Sequence, residues 1–450
     1  MNRRLMISII AFTLWFLNIQ NGLSQTSSQS EPFTMALTGD CIITRKLSVY
    51  DEPEFLKMID LIRSADVAFT NLEMLFHDYE PYPMHQSGGT YMRADPSLAR
   101  ELSWAGFDMV SRANNHTGDY GVLGMRLTTK VVNEAGLIQA GTGESLTEAR
   151  EAKFLETSKA RVALISCAST FPDHSRAGKT RGDIPPRPGL NPLRYSMTHM
   201  ITEDQMEDLR QISAALGMNT SDNQESMRFL SRRFIKSEKA GIKTEPNKED
   251  LKEITHVVQN ASRLADYTIV TYHGHESDRD RTRPAQFLIT FARAMIDAGA
   301  DVVVGHGPHI LQGIEIYKGK PILYSLANFM FQNETLLRLP HENYGRYDLG
   351  PDAHVADFND ARYDHDKKGF PARPQIWESV IAVPYWKGDK LIKLELYPIT
   401  LGYGLHRTVR GRPLIADESL SKKIIQELQK LSKPYGTTID YKNGIGVVRF

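Results

Sequence analysis

The sequence predicts an α/β protein with an internal sheet. Its 450 residues are 41% apolar and 24% charged, which is ordinary for a globular chain. Short apolar runs recur along the chain, and helix-like stretches separate many of them, as in α/β architectures. The runs predicted as strands are 33–38, 67–70, 108–111, 161–167, 267–272 and 301–304.

Helices and C-terminal strands complete the predicted layout. The stretches "PSLARELSWAGF" and "AQFLITFARAMIDAGA" have helical periodicity. From about Glu378 the pattern changes to two longer alternating strands, "ESVIAVPYW" and "KLIKLELYPI", which a Lys-Gly-Asp turn joins as a hairpin. A helix in "ESLSKKIIQELQKL" and a strand in "GIGVVRF" are expected to end the fold.

We expect one domain over residues 31–450 with two interruptions. Residues 171–250 are predicted to form a helical insertion, which includes the polar run "ESMRFLSRRFIKSE". Residues 333–373 are predicted to form a long loop without a core of its own. Long loops in compact domains are commonly lids, so we expect this one to flank a site.

The N-terminus is typical of a secretory signal peptide. Arg3 and Arg4 precede an apolar run over 5–17, and small polar residues follow it. We therefore predict a signal peptide over residues 1–24 and an exported protein, periplasmic or extracellular and associated with the cell envelope. The alternative is an uncleaved anchor.

Charge and cysteine content exclude several classes. The chain has 54 basic and 54 acidic residues, so its net charge gives no reason to expect nucleic acid or a membrane surface as partner. Two cysteines, Cys41 and Cys167, exclude a disulfide scaffold and a Cys-rich zinc site. One disulfide and two separate buried thiols both remain open.

Polar clusters follow five of the apolar runs. The carboxyl ends of strands in α/β sheets face a common crevice, so we expect these clusters to converge. The clusters are Gly39-Asp40, Asn71-Leu72-Glu73, Asn114-Asn115-His116 with Asp119, His273-Gly274-His275-Glu276, and Gly305-His306-Gly307-Pro308-His309.

The residue types in these clusters match a metal centre. Carboxylates, an amide oxygen and imidazoles form a mixed oxygen and nitrogen set, which suits manganese, iron or zinc, as one ion or two about 4 Å apart. Each motif alone is more often a turn, a capped loop or a surface histidine. Their recurrence at strand ends is what favours metal.

Long segments of the chain resemble the CapA family of poly-gamma-glutamate capsule synthesis proteins, within the calcineurin-like metallophosphatase superfamily. The resemblance implies a four-layer α/β/β/α sandwich with metal at the strand ends. The matching segments are "LTGDCIITRKL", "ADVAFTNLEMLFHD", "YMRADPSLARELSWAGFDMVSRANNHTGDYGVLGM", "GLIQAGTGESLTEAR" and "GADVVVGHGPHILQGIEIYKGKPILYSLANFMFQNE".

The resemblance also implies site roles. His116 falls where the superfamily has the histidine that protonates the leaving oxygen, and Asp119 would orient its ring. Ile42 stands where the first superfamily motif has a histidine, which leaves the number of ions open. The implied metal ligands are Asp40, Glu73, Asn115, His273 or His275, His306 and His309.

Arginines surround the same segments. Guanidinium groups bind carboxylate or phosphate with paired donors, so we expect an anionic substrate. The alternative is a set of solvated surface side chains. The candidate substrate-binding residues are Arg45, Arg93, Arg112 and Arg281.

Two functions follow as hypotheses. The first is an exported metal-dependent hydrolase of a phosphoester or a glutamyl amide, acting in the metabolism of capsule, poly-gamma-glutamate or another envelope polymer. The second is a non-catalytic component that binds or tethers a polyanion during capsule synthesis or export. Both imply an anionic small molecule or polymer as partner, and association with envelope capsule machinery.

Overall fold

The computed structural model describes residues 31–218 and 223–450, so the predicted signal peptide lies outside the described residues. Where the structure is described, no helix is long and apolar enough to cross a membrane. The helices are α1 (Pro53–Ser64), α2 (Ala99–Ala105), α3 (Gly121–Glu134), α4 (Leu146–Arg150), α5 (Glu203–Ala215), α6 (Lys248–Ala261), α7 (Gln286–Asp297), α8 (His341–Gly345), α9 (Val355–Tyr363) and α10 (Glu418–Ser432).

Most strands belong to two large sheets. The strands are β1 (Phe33–Ile42), β2 (Val67–Leu72), β3 (Leu75–Phe76), β4 (Arg93–Ala94), β5 (Met109–Ser111), β6 (Ile138–Ala140), β7 (Thr142–Gly143), β8 (Lys153–Glu156), β9 (Arg161–Ala168), β10 (Gly189–Leu190), β11 (Tyr195–Ile201), β12 (Ser226–Phe229), β13 (Arg232–Lys236), β14 (Gly241–Pro246), β15 (Tyr267–His273), β16 (Val302–His306), β17 (Ile314–Tyr317), β18 (Lys320–Leu323), β19 (Asn328–Phe331), β20 (Glu378–Lys387), β21 (Lys390–Thr400), β22 (Leu414–Ile415), β23 (Ile439–Lys442) and β24 (Ile445–Val448).

The two large sheets pack face to face between two layers of helices. The first has the order β23-β24-β21-β20-β1-β2-β5-β6, with β19 beside β1, and the second has the order β17-β18-β16-β15-β9-β8. Apolar residues such as Leu37 and Leu164 form the core between the sheets. Helices α1 and α2 cover the outer face of the first sheet, and α6 and α7 cover that of the second. The α/β/β/α prediction is confirmed.

The predicted elements lie at the expected places. The six apolar runs are β1, β2, β5, β9, β15 and β16, and the two long C-terminal strands pair as the antiparallel hairpin β20–β21. These runs were recognisable because every residue of β2 and β15 is buried, which requires a continuous apolar sequence. Cys41 and Cys167 are both free and buried, so the thiol alternative holds.

The segment 171–250 contains a small sheet as well as helices. Its strands have the order β12-β13-β11-β14, and the run predicted as helical over 225–238 is the hairpin β12–β13. That helical prediction is wrong. Leu230 and Ser231 both have positive φ, 46° and 63°, which gives a two-residue turn that reverses the chain and pairs Met227 with Phe234.

The segment 333–373 contains the short helices α8 and α9 and is fixed to the body of the protein. Arg410 binds Glu334 at one end of the segment, at 2.6 Å, and Asp366 near the other, at 2.8 Å. Both Arg410 and Glu334 are buried. A charged pair removed from water in this way holds its partners in one geometry.

Candidate metal centre and acid–base pair

The carboxyl ends of the central strands bring the candidate ligands together. Asp40 of β1 is a register neighbour of Asn71 in β2 and of Asn328 in β19, and all three strands are parallel. In the second sheet, His273 ends β15 beside His306, which ends β16. Because the sheets face each other, these two rows of polar side chains meet at one edge of the sandwich.

Two glycines permit this close approach. A side chain at Gly39 would place its Cβ 2.0 Å from the carbonyl oxygen of Ala327, so β1 and β19 could not remain adjacent. Gly307 has φ of +118°, and its N–H donates to Asp40 Oδ2 at 3.0 Å. The glycine-rich turn after β16 therefore binds the carboxylate as well as presenting the histidines.

His273 offers one ring nitrogen to each of two ligand groups. Its Nδ1 lies 3.0 Å from His306 Nδ1 and 3.5 Å from Asp40 Oδ1. Its Nε2 lies 3.0 Å from His275 Nε2 and 3.8 Å from Glu73 Oε1. Ligand atoms about 2.0–2.2 Å from a zinc-like ion are roughly 3.3 Å apart, so both groups have metal-site spacing.

A third group completes the cluster. Asp40, Glu73 and His309 offer ligand atoms within 4.8 Å of one another, as the other two groups do. The predicted carboxylate and imidazole ligands are thus brought together. Only His275 among them is exposed, which leaves the cluster open on its side.

Charged neighbours give the two buried carboxylates pKa shifts of opposite direction. Burial, and then the charge of Asp40, hold the pKa of Glu73 well above its usual range. Burial also raises the pKa of Asp40, but hydrogen bonds and charges from the surrounding histidines outweigh it and hold that pKa well below its usual range. Both oxygens of Glu73 are buried without a hydrogen-bond partner in the described structure. An unpaired buried carboxylate fits a cation.

Two of the histidines, His273 and His306, have lowered pKa values. Burial lowers the pKa of His306 to about 3, and burial likewise lowers the pKa of His273. Neutral imidazoles with free lone pairs are therefore present at neutral pH. Thr271 Oγ1 contacts His306 Nε2 at 2.6 Å and orients its Nδ1 toward Asp40.

His116 and Asp119 form a pair beside the cluster. His116 Nδ1 lies 2.7 Å from Asp119 Oδ2, and its Nε2 lies 3.7 Å from Glu73 Oε1. Asp119 is fully buried and also accepts the backbone N–H groups of Gly88 and Met92, each at 2.8 Å. Its fixed carboxylate holds the imidazole with Nε2 toward the ligand groups.

Asn115 presents an amide oxygen in the same region. Its Nδ2 donates to Gly88 O at 3.0 Å, while its buried Oδ1 has no hydrogen-bond partner in the part of the chain described. A Cβ on Gly88 would lie 2.4 Å from Asn115 O, so only glycine allows this contact. The unpaired Oδ1 has the chemistry of a metal ligand.

His309 is held in a strained conformation. Its φ is 59°, in the left-handed region that costs a side chain about 1–2 kcal/mol. Its Nδ1 lies 2.8 Å from Asn328 Oδ1 and 3.5 Å from Asp40 Oδ2. The ring also packs 5.5 Å from the ring of Phe370, in the segment 333–373.

Two of the candidate arginines are held by other parts of the protein. Arg45 donates to the backbone carbonyls of Thr408 and Arg410. Arg93 is buried and forms an ion pair with Asp78 at 2.7 Å. Their guanidinium groups brace the loops around the site.

Arg112 and Arg281 differ in their surroundings. Arg112 is 1% exposed, donates to Gln139 Oε1 at 2.8 Å, and has its pKa lowered to about 9 by burial. Arg281 is exposed and donates to Pro308 O at 3.0 Å, next to His309. Arg281 is therefore the candidate with a charged group directed to solvent beside the cluster.

Two residues of the site, Thr271 and Asn328, were not among the sequence candidates, and Asn71 was placed in a polar cluster without a role of its own. Asn71 Nδ2 donates to Asp40 Oδ1 at 2.8 Å, Thr271 binds His306, and Asn328 binds His309. Asn71 and Asn328 interrupt apolar runs at strand ends, which is a usable signal. Thr271 has none, because threonine is an ordinary strand residue.

Fold and site together define a class: an α/β/β/α sandwich with a buried cluster of carboxylates and imidazoles, suited to divalent metal, where its parallel strands end. Residues 34–333 match the family described as "Bacterial capsule synthesis protein PGA_cap". The chain belongs to this family.

The similarity to individual relatives extends beyond residues 34–333. The chain is 38% identical over 440 residues to the uncharacterised protein y4sH of Sinorhizobium fredii, covering 95% of each chain. It is 26% identical to the PGA biosynthesis protein CapA of Bacillus subtilis, over 79% of this chain and 82% of that one. A solved phosphatase of Mycoplasma pneumoniae has a TM-score of 0.40 and 12% identity, covering 82% of this chain and 94% of that one.

Proposed function

We propose that this protein is a metal-dependent hydrolase, exported to the cell envelope, that acts on an anionic polymer of the capsule. The reaction is cleavage of a phosphoester or of a glutamyl amide. The capsule assignment is supported by family membership and by the CapA relatives. The hydrolytic assignment is supported by the site.

One observation carries the hydrolytic proposal. The His116 ring is held through Nδ1 by a fully buried Asp119 and directs Nε2 to within 3.7 Å of Glu73, a carboxylate whose two oxygens have no hydrogen-bond partner in the described structure. An acid–base residue thus adjoins a cluster suited to cations. A purely structural metal site has no need of such a residue.

A divalent metal ion in this cluster would polarise the scissile group and lower the pKa of an attacking water. Asp40, Glu73, Asn115, His273, His275, His306 and His309 would hold one or two ions of manganese, iron or zinc. His116 would carry the proton at Nε2 and give it to the leaving oxygen or nitrogen. Asp119 would accept a hydrogen bond from Nδ1–H and so stabilise the doubly protonated, positively charged ring that carries this Nε2 proton.

The first experiment measures metal content and turnover on the same samples. We would purify the wild type, His116→Ala and the double variant Asp40→Ala/His306→Ala, with His256→Ala as control because His256 is exposed on α6. An aryl phosphate and a γ-glutamyl anilide are the two probes. We expect His116→Ala to keep its metal and to lose about 10²–10⁴-fold in kcat, since that is the usual contribution of general acid catalysis.

The outcomes separate the two functions. Wild-type protein that stays metal-free after metal is resupplied would contradict the metal centre. If His116→Ala turns over substrate as fast as the control His256→Ala, His116 is not the general acid. Bound metal without turnover of either probe, or of poly-gamma-glutamate itself, would favour a polyanion-binding component.

A further inference from the structure

The arginines around the site differ in whether a carboxylate neutralises them. Three of those nearby have such a partner: the pairs are Arg93–Asp78, Arg407–Asp360, Arg410–Glu334 and Arg410–Asp366. Arg281, Arg362 and Arg373 form no ion pair with any residue that the structure describes. Their charges are therefore available to a ligand.

Arg362 lies on the His116 side of the site. It is half-buried near the end of α9, and its Nη1 donates to Thr90 Oγ1. Thr90 follows Gly89, where a Cβ would lie 3.9 Å from His116 Cε1 and meet nothing closer. The backbone at Gly89 and Thr90 thus lies beside the His116 ring. Because Arg362 contacts Thr90, its guanidinium group lies on the same side of the site.

Arg281 and Arg373 lie on the His309 side. Arg281 donates to Pro308 O at 3.0 Å, and its own carbonyl accepts from Gln312 Nε2 at 2.8 Å. Arg373 donates its backbone N–H to Phe370 O at 3.2 Å, and the Phe370 ring packs against His309. Both arginines are exposed.

The two arginines on the His309 side are close enough to affect each other. Partial desolvation and, after it, the positive charge of Arg373 lower the pKa of Arg281. Two like charges without a counter-ion destabilise each other, and an anion between them would relieve that repulsion. Guanidinium groups are suited to this role because they bind carboxylate or phosphate through paired donors.

We propose that Arg281, Arg362 and Arg373 form an anion-binding rim that holds a polyanionic chain on both sides of the candidate metal centre. Because the rim flanks the centre, its ligand carries more than one carboxylate or phosphate. The segment 333–373 supplies two of the three arginines and so contributes to substrate choice. Identifying the ligand with the substrate rests on the proposed function, whereas anion binding by the rim does not.

The test is equilibrium binding by calorimetry to full-length protein at low and physiological salt. The probes are a short γ-linked oligoglutamate and a short inorganic polyphosphate, with free glutamate and orthophosphate as single-anion references. We would compare wild type, Arg362→Gln/Arg373→Gln, and the charge-matched control Arg100→Gln/Arg263→Gln. Arg100 and Arg263 are exposed, lie outside the site and have no ion-pair partner in the described structure.

We expect at least one oligomer to bind more tightly than its single-anion reference. The rim variant should lose about tenfold in affinity per arginine, and the control should bind like wild type. The variant Arg362→Gln/Arg373→Lys should regain only part of the affinity that Arg362→Gln/Arg373→Gln loses, because lysine cannot form the paired contact. Thermal unfolding and circular dichroism would show that each variant is folded.

Two results would contradict the rim proposal. The first is that the oligomers bind no more tightly than the single anions, and the second is that the rim variant and the control lose the same affinity. Tight binding of only one oligomer would identify the anion as carboxylate or phosphate and would support the rim. Metal-dependent turnover by the wild type, together with a rim variant that binds the oligomers as tightly as the wild type, would refute the rim proposal alone. Arginine-dependent binding without turnover would refute the hydrolase alone.

Discussion

At the residue scale, His309 shows how the site is held in a shape that the chain would not adopt unaided. Its left-handed φ of 59° is unfavourable for any residue with a Cβ. The hydrogen bond to Asn328 and the contact with Phe370 offset this cost and fix the ring. Backbone strain of this kind is concentrated at functional sites, where the surrounding structure holds a residue in an unfavourable conformation.

This strain can be measured with two matched substitutions. His309→Ala and His309→Gly both remove the imidazole and its bond to Asn328, but only glycine adopts positive φ freely. We expect the free energy of unfolding of metal-free protein to be about 1 kcal/mol higher for His309→Gly than for His309→Ala. Denaturant unfolding measures the difference. Equal stabilities, or a more stable alanine variant, would show that the conformation is not strained.

At the element scale, ion pairs anchor α6 to the neighbouring chain. Asp250, in the first turn of α6, is fully buried and lies 2.7 Å from the Nε of Arg194. It also pairs with the buried Arg150 at the end of α4. Burial raises the pKa of Asp250, but the hydrogen bonds and charges of the two arginines outweigh it and hold that pKa below its usual range.

Replacing Asp250 with asparagine should therefore destabilise the fold in a pH-dependent way. At pH 7 we expect the free energy of unfolding to fall by about 3–5 kcal/mol, because two arginines lose a buried partner. The folded pKa is depressed, so the wild-type advantage is present above the unfolded value of about 3.9 and is lost as the pH falls through the folded pKa.

Unfolding at pH 7 and at acid pH would measure this difference. The control is Glu245→Gln, whose carboxylate forms an exposed pair with Lys243 and should contribute little. A deficit for Asp250→Asn that is as small as that of the control, or that grows as the pH falls, would contradict the assignment.

The same scale shows what the sequence could predict. Buried parallel strands need continuous apolar residues, so β1, β2, β9, β15 and β16 were found, and the polar groups after them located the site. The hairpin β12–β13 was missed because its turn, Leu230–Ser231, has no glycine or asparagine to mark positive φ. Asn328 was missed because its role depends on β19 pairing with β1, nearly 300 residues away in the chain.

At the scale of the whole molecule, metal binding and folding should be linked. The cluster is built from the ends of both large sheets, so it exists only when they are packed together. Any ion that binds only the folded state stabilises it, by about 2.7 kcal/mol at a concentration one hundred times its Kd. Chelation should therefore lower the Tm of the intact protein, and manganese or zinc should restore it.

Thermal unfolding with chelator and with added metal would measure this linkage. The double variant Asp40→Ala/His306→Ala serves as the reference, because it lacks two ligands and should show no metal-dependent change in Tm. A wild-type Tm that is the same with chelator and with metal would contradict a metal centre formed between the sheets.

The boundary at residue 333 has a consequence for how such proteins diverge. The family match ends there, after every proposed metal ligand, and the segment that packs on His309 begins there. The proposed ligands and the segment that covers His309 are thus encoded in consecutive stretches of the gene. Exchange of the segment 333–373 between relatives would keep every proposed ligand in the chain but would replace the ring that packs on His309.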